Sequence, residues 1–364
     1  MKLKTPAIGI LDRYILGKFM ATFFVSIALI ISIATVFDIS ENLDDFLSKD
    51  VPVREIVVSY YLNFIPYFAN LFSALFNFIA VIFFTSKMAY NSEIIAILSS
   101  GVSFHRLVRP YMVGAAIIAL FTYILGNYII PPANKEMVNF KTTYIKKKRN
   151  SLETNIHRQI TPGTYIYMRS YNTSNDVGYK FTIEKFDEGK LTSKLSADFI
   201  KWDRERKVWE INNYFIRDID GNREKITTGT KKDTTLNMVP EDYVALKNMA
   251  ETLSLPELNK EIESLKLRGI NAIDFLVEKH KRRANPFSAF ILTLIGVSLA
   301  SRKVKGGLGL HLGLGILIAF SYIMFMQIAT VFAISGSVPP SIAVWIPNLI
   351  FGALAAYLYK RAMR

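Results

Sequence analysis

A chain of 364 residues that is 51% hydrophobic and 13% aromatic, with a mean hydropathy of +0.25, is too apolar for an ordinary soluble globule. The formal net charge of +14 points to anionic lipid surfaces rather than nucleic acid, because most of the bases flank apolar runs. The absence of cysteine excludes disulfides, thiolate metal sites and a Cys nucleophile.

The N-terminal stretch MKLKTPAIGILDRYILGKF is basic and leads into an uncharged run from Phe19 to Phe37. That run ends at Asp38 rather than in small residues, so it reads as an uncleaved first transmembrane helix. A second uncharged run, Ile56 to Ser86, exceeds the roughly 20 residues a bilayer requires and carries Pro66 as a candidate kink. Within it Ser59, Asn63, Pro66, Asn70, Ser73 and Asn77 alternate at steps of four and three. They form one stripe that must face protein or a cavity.

The segment Ser86 to Arg109, SKMAYNSEIIAILSSGVSFHRLVR, is polar and lies between two apolar runs. Asn91 or Ser92 suits an N-cap, Glu93 suits the positive helix end, and Gly101 offers a left-handed stop, predicting a short helix from about Ser92 to Ser100. Ile94, Ile97 and Leu98 share one side, which makes the helix amphipathic and far too short to span. It serves either as a connector tucked against its neighbours or as a docking knob for a cytosolic protein.

A third run, Pro110 to Asn134, is expected to close on Pro131 and Pro132. A fourth covers Ala284 to Ser301. The stretch Gly306 to Tyr359 lacks Asp, Glu, Lys and Arg and is too long for one helix, with SGSVPP (Ser335 to Pro340) as its turn, so six crossings follow. Lys and Arg crowd the short segments at residues 2–18, 87–109, 302–305 and 360–364, while the opposite short loops hold only Lys49 and Arg54. By the positive-inside rule both termini and the 86–109 segment are cytoplasmic, and the insert Lys135 to Arg283 lies outside.

From about Leu152 to Leu246 the insert reads as β-structure. Trp209 and Ile211 alternate with polar neighbours, and turn signals recur at Asn172 to Asn175, Asp187 to Gly189, Asp203 to Lys207 and Asp220 to Asn222. A sandwich or jelly roll fits this spacing, with an acyl-chain groove between its sheets as one option and a filled core as the other. Ser254 with Glu257 forms a capping box, and Leu258, Ile262 and Leu265 mark one face of a helix that is expected to break near Gly269 and lead back to the membrane. The basic clusters Lys146 to Arg149 and Lys279 to Arg283, the latter including Arg282 and Arg283, are either solvated or in contact with an anionic lipid.

Catalytic patterns are missing. The four histidines are scattered, no GxSxG elbow appears, and the glycines from 306 to 315 lack a phosphate-loop ending, Gly309 and Gly313 reading instead as close helix packing. No cofactor or metal is implied. The apolar runs hold no Asp, Glu, Lys or Arg, whereas ion-coupled carriers usually keep such a group near the midplane, so any transport is expected to draw its energy from elsewhere.

LDRYI near the start, SEIIAILSSGVSFHRLVRP after the second helix, PPANKE closing the third, NPFSAFILTLIGVSLA in the fourth and VPPSIAVWIPNL before the sixth together resemble the LptF/LptG (YjgP/YjgQ) permeases of lipopolysaccharide export. The resemblance covers nearly the full length and leans toward the LptG-like partner. It implies an α-helical membrane protein of the bacterial inner membrane, with six transmembrane helices and a periplasmic all-β, jellyroll-like domain between the third and fourth. The implied layout is a first half over 1–134 with a coupling helix at about 91–101, a β domain over 135–253, a helical connector over 254–283 and a second half over 284–364.

It further implies a subunit without its own ATPase, paired with an LptF-like sister permease on a cytosolic LptB-like ATPase dimer. LptC-like and LptA-like periplasmic proteins would receive lipopolysaccharide and bridge it towards the outer membrane. Ser92, Glu93, Ile94, Ile97, Leu98, Gly101 and Ser103 would then couple to the ATPase. Phe24, Ile31, Ile316, Phe320 and Met324, on the first and fifth helices, would line a lipid cavity, and Lys49, Arg54, Arg282 and Arg283 are the headgroup candidates. Near the outer end of the first helix, however, Asp38, Glu41, Asp44 and Asp45 dominate, which disfavours a phosphate contact there. The alternative from another class is a membrane-anchored scaffold or signal relay with a β receptor domain and no cargo; a lone secondary carrier is weaker still.

Overall fold

A segment surrounded by lipid must satisfy its own backbone hydrogen bonds, so long uncharged runs fold as helices. The structure is a computed structural model that describes residues 9–145, 152–172, 175–187, 189–221, 223–236, 238, 240, 249–267, 271–302 and 307–363. Its helices are α1 (Ile10–Ser48), α2 (Val53–Tyr90), the short α3 (Glu93–Ser99), α4 (Phe104–Ile145), α5 (Leu255–Leu267), α6 (Ile273–Ala284), α7 (Phe287–Ala300), α8 (Gly307–Ile334), α9 (Pro340–Ala343) and α10 (Ile346–Ala362). Five spans are long and apolar enough to cross a membrane: α1, α2, α4, α8, and α9 with α10. The pair α6 and α7, bent by 45°, makes a sixth if counted as one.

Two expectations shift here. The third helix does not close at Pro131 and Pro132: α4 runs on to Ile145, with a π-helical turn at Leu125–Ile129 just ahead of the prolines. A π turn re-registers the backbone bonds, so carbonyls that would meet the missing proline N–H groups are engaged otherwise. The fourth span is also shorter than its apolar run. With 14 residues α7 reaches about 21 Å, and Pro286, which cannot donate a backbone bond, separates it from α6.

The described residues divide into a helical unit built on α1–α4 and α7–α10 and a β unit holding the sheet with α5. In the helical unit α2 is the central element, packed against α1, α4, α7 and α8. One face of it meets α1, where Phe84 lies edge-on to Tyr14; another meets α8, where Ile82 presses on Gly315. A Cβ at Gly315 would run into Ile82 Cδ1, so any larger residue there forces the isoleucine side chain to shift. Gly309 and Gly313, expected to be the close-packing pair, have nothing within 4 Å of where a Cβ would stand and lie on the exposed side of α8.

Of the polar stripe on α2, Asn77 is fully buried and donates to the Ala289 carbonyl (3.2 Å) and Thr293 Oγ1 (3.1 Å) on α7. At the far end of α1, both Asp38 oxygens accept hydroxyls, from Tyr60 and Tyr61, each at 3.0 Å. Tyr60 stacks on Phe140 there, closing an aromatic knot with Phe46, Phe64 and Met137.

In the β unit six strands, β1 (Leu152–Thr161), β2 (Thr164–Asn172), β3 (Val177–Asp187), β4 (Lys190–Asp203), β5 (Val208–Asp220) and β6 (Arg223–Thr234), pair antiparallel in strict sequence order. This is an up-and-down meander, so the jelly-roll expectation holds as an all-antiparallel inserted domain and not as two separately ordered sheets. Its four expected turns all lie between strands, and one face is apolar: Ile166, Met168, Phe181, Ile200, Trp209 and Ile211 form its core. β6 is exposed along nearly all its length and, like β1, is an edge. In α5, Leu258, Ile262 and Leu265 are all buried, as their spacing predicts; the break expected near Gly269 lies outside the described residues.

Candidate functional site

The site is built around α3. Seven residues cannot hold a helix by propensity, so its position has to come from anchoring. Ile94 supplies it, only 1% exposed among Phe84 and Met88 of α2 and Phe104 and Leu107 of α4, with Ile97 partly buried beside it. Ser92 occupies the N-cap position but at φ 64°, in the left-handed region, and makes no capping bond. Gly101 stops the helix at φ 89°, as its residue type predicts. Ser103 caps the next helix, its side chain accepting the Arg106 N–H of α4 at 3.3 Å.

Two side chains of α1 hold this region at both ends. Tyr14 Oη donates to Glu93 Oε2 (3.1 Å), while Asn91 Nδ2 donates to Glu93 Oε1 (3.2 Å). Asp12 accepts both guanidinium nitrogens of Arg106, the Nη2 to Oδ2 bond being 2.6 Å, and also takes the Gly9 N–H at 2.9 Å. Bidentate carboxylate–guanidinium pairing fixes direction as well as distance. The LDRY segment at 11–14 thus straps α1 to the start of α3 and to the helix that follows it.

What faces outward is not the expected trio. Ile94 is the anchor and Ile97 its neighbour, whereas Ile95 (51% exposed) and Leu98 (38%) point out, with Tyr90 close by in sequence. An apolar outer face on a seven-residue helix is suited to a groove in another chain.

The family model described as lipopolysaccharide export system permease LptF/LptG matches residues 13–361. The chain belongs to the LptF/LptG family. It is 20% identical over 357 residues to the lipopolysaccharide export system permease protein LptG of Escherichia coli O6:H1, covering 97% of this chain and 98% of that protein. It is also 24% identical over 277 residues to an uncharacterized protein of Aquifex aeolicus, covering 72% of this chain and 73% of the relative. As an LptF/LptG permease it is a multi-pass membrane subunit of the lipopolysaccharide export system and has no ATPase of its own.

The remaining predicted residues of this LptF/LptG chain fall into place unevenly. Phe24 on α1 is 49% exposed and edge-on to Phe121, while Ile31 is half-buried against the core. Ile316, Phe320 and Met324 form an exposed stripe on α8. These two sets lie on helices packed on different faces of α2, so they make two separate apolar walls. Arg54 and Arg283 are exposed. Lys49 is engaged, donating to the Tyr144 carbonyl and standing 3.5 Å from Asp45. Arg282 is 7% exposed, bonded to Glu278 (2.7 Å) and to the Leu253 carbonyl (2.7 Å). Its charge is spent inside the fold.

Sequence reasoning missed Asp12, Tyr14 and Arg106 as site residues, because their partners lie 79 and 94 positions away and no local period signals them. Asp38, Glu41, Asp44 and Asp45, expected near the outer end of the first helix, all belong to α1 itself. Among the described residues no group of three or more His, Asp or Glu is arranged to hold a metal ion.

Proposed function

We propose that α3 is the coupling element of this permease: an ATPase partner grips its outer face, and the straps from Asp12 and Tyr14 carry the displacement into α1. The observation behind this reading is the double tether, Glu93 to Tyr14 and Arg106 to Asp12, on a helix whose only deep anchor is Ile94. The partner is an LptB-like cytosolic ATPase dimer, and a sister permease of the same family sits beside this chain. Charge distribution supports a cytoplasmic α3 and cytoplasmic termini, with the β unit on the periplasmic side.

The cavity walls are α1 and α8. Only 17% and 28% of their apolar windows are buried within the chain, the lowest shares of the five spans, which leaves both faces for lipid and for the sister subunit. The β unit passes lipopolysaccharide to LptC-like and LptA-like proteins, and its edge strands β1 and β6 support joining to similar sheets. With the family shown, the cargo-free scaffold loses its ground.

Proteoliposomes holding the assembled complex test this. Glu93→Lys, or Gly101→Val at its left-handed position, should leave ATP hydrolysis by the partner in place and abolish its coupling to lipopolysaccharide release. Normal release from both variants would refute the lever.

A further inference from the structure

The helical unit contains a cleft of about 620 Å³ between α1, α2 and α3. Its lining sorts by depth. Lys18 stands one residue before the uncharged run of α1, and Lys87 one residue after that of α2, so both ammonium groups sit at the polar edge of the same end of two antiparallel spans. Val25 lies seven residues further along α1, and Phe83 and Ile79 four and eight residues back along α2. The apolar wall therefore continues about 6–12 Å below the lysines. Val25 is 66% exposed and Phe83 41%, leaving this wall open.

The charges are not balanced within the chain. Among the described residues neither Lys18 nor Lys87 has an ion pair, and the one carboxylate in the lining, Glu93, has both oxygens taken by Tyr14 and Asn91. A cationic rim over an apolar wall fits one chemical shape, an anion joined to a hydrocarbon chain.

We infer that this cleft binds an anionic glycerophospholipid, its phosphate between Lys18 and Lys87 and an acyl chain along Val25, Ile79 and Phe83. The site abuts Glu93, so the lipid packs against the base of α3. Binding there is independent of the coupling role and of the sidedness of α3.

The test uses the full-length chain in nanodiscs of phosphatidylcholine with a minor fraction of phosphatidylglycerol, released into detergent for native mass spectrometry. Phosphatidylglycerol should be retained preferentially, and the double variant Lys18→Gln/Lys87→Gln should lower its retention about 30-fold, the loss of two near-surface cations. Lys18→Arg/Lys87→Arg should keep it. Both pairs of changes are at exposed positions, and unchanged melting confirms that the fold is intact. A second readout places the chain: Phe83→Trp fluorescence should be quenched by phosphatidylglycerol brominated on its acyl chain, and only while both lysines are present. Equal retention by the Gln variant overturns the proposal. So does displacement of the lipid by inorganic phosphate, which would make this a free-phosphate site, and so does preferential capture of lipopolysaccharide, which would make the cleft part of the cargo route.

Discussion

Ile94 and Ile95 are neighbours with the same side chain and opposite assignments, which makes them a controlled pair. Ile94→Ala removes the only deeply buried contact of α3, 1% exposed between α2 and α4. Truncation of a buried isoleucine costs about 2–5 kcal/mol, whereas the same change at Ile95, 51% exposed, costs within about 0.5 kcal/mol. Little else restrains α3 directly: the Tyr14–Glu93 bond is exposed and contributes about 1 kcal/mol or less. The loss at Ile94 therefore appears as local detachment. At every 1.4 kcal/mol per decade, amide exchange across residues 93–99 should accelerate at least about 30-fold in Ile94→Ala. Hydrogen exchange of the nanodisc-embedded chain measures this, and partner-dependent ATP hydrolysis measures function. Ile94→Ala should fail by loosening, while Ile95→Ala should keep wild-type exchange and weaken binding of the ATPase. If exchange were unchanged in Ile94→Ala, or rose in Ile95→Ala instead, the assignment of inner and outer faces would be wrong.

Tyr14→Phe removes one hydroxyl and should leave melting within about 1 kcal/mol of wild type while reducing coupled lipopolysaccharide release, read in proteoliposomes. Gly315→Leu forces atoms into the Ile82 side chain and should destabilise by about 1–3 kcal/mol, with partial rescue by Ile82→Ala, read as detergent melting. In the β unit the Arg206 backbone N–H, then its guanidinium, hold Asp203 below its ordinary 3.8; Lys180, then Asn213, do the same for Asp198, and Arg217 holds Glu224 below 4.5. Because these values are depressed in the folded state, their contribution is full above the ordinary carboxylate range and is lost as pH falls through the folded values. In a Trp345→Phe background, Trp202 and Trp209 fluorescence should report a urea midpoint that is flat near neutrality and falls on acidification, less steeply in Arg206→Gln.

Much of the architecture was legible because hydrocarbon leaves a long uncharged run no other solution than a helix, and because period-two alternation around Trp209 has only one reading. Turn residues such as Asp203 to Lys207 and the left-handed Gly101 declared themselves by type. The prolines at 131 and 132 misled, since their effect depends on a π turn several residues earlier. In α3 the amphipathic pattern located a helix but could not tell Ile94 from Leu98. Facing is decided by what α2 and α4 present, not by the spacing within seven residues. Ion pairs spanning most of a hundred positions, such as Asp12 with Arg106, carry no signal in a single sequence. Arg282 looked available for lipid although Glu278, four residues earlier on the same helix, is a partner its spacing allows; only the bond to the Leu253 carbonyl depends on tertiary structure.

Helix α1 has 39 residues and no proline, and it is fastened near both ends: at Asp12 and Tyr14 to the region around α3, and at Asp38 to two tyrosines about 39 Å away. A rod with no joint tilts where a hinged one would fold. If one fastened end of such a rod is displaced, the other must move with it, so the two tethers cannot be loaded independently.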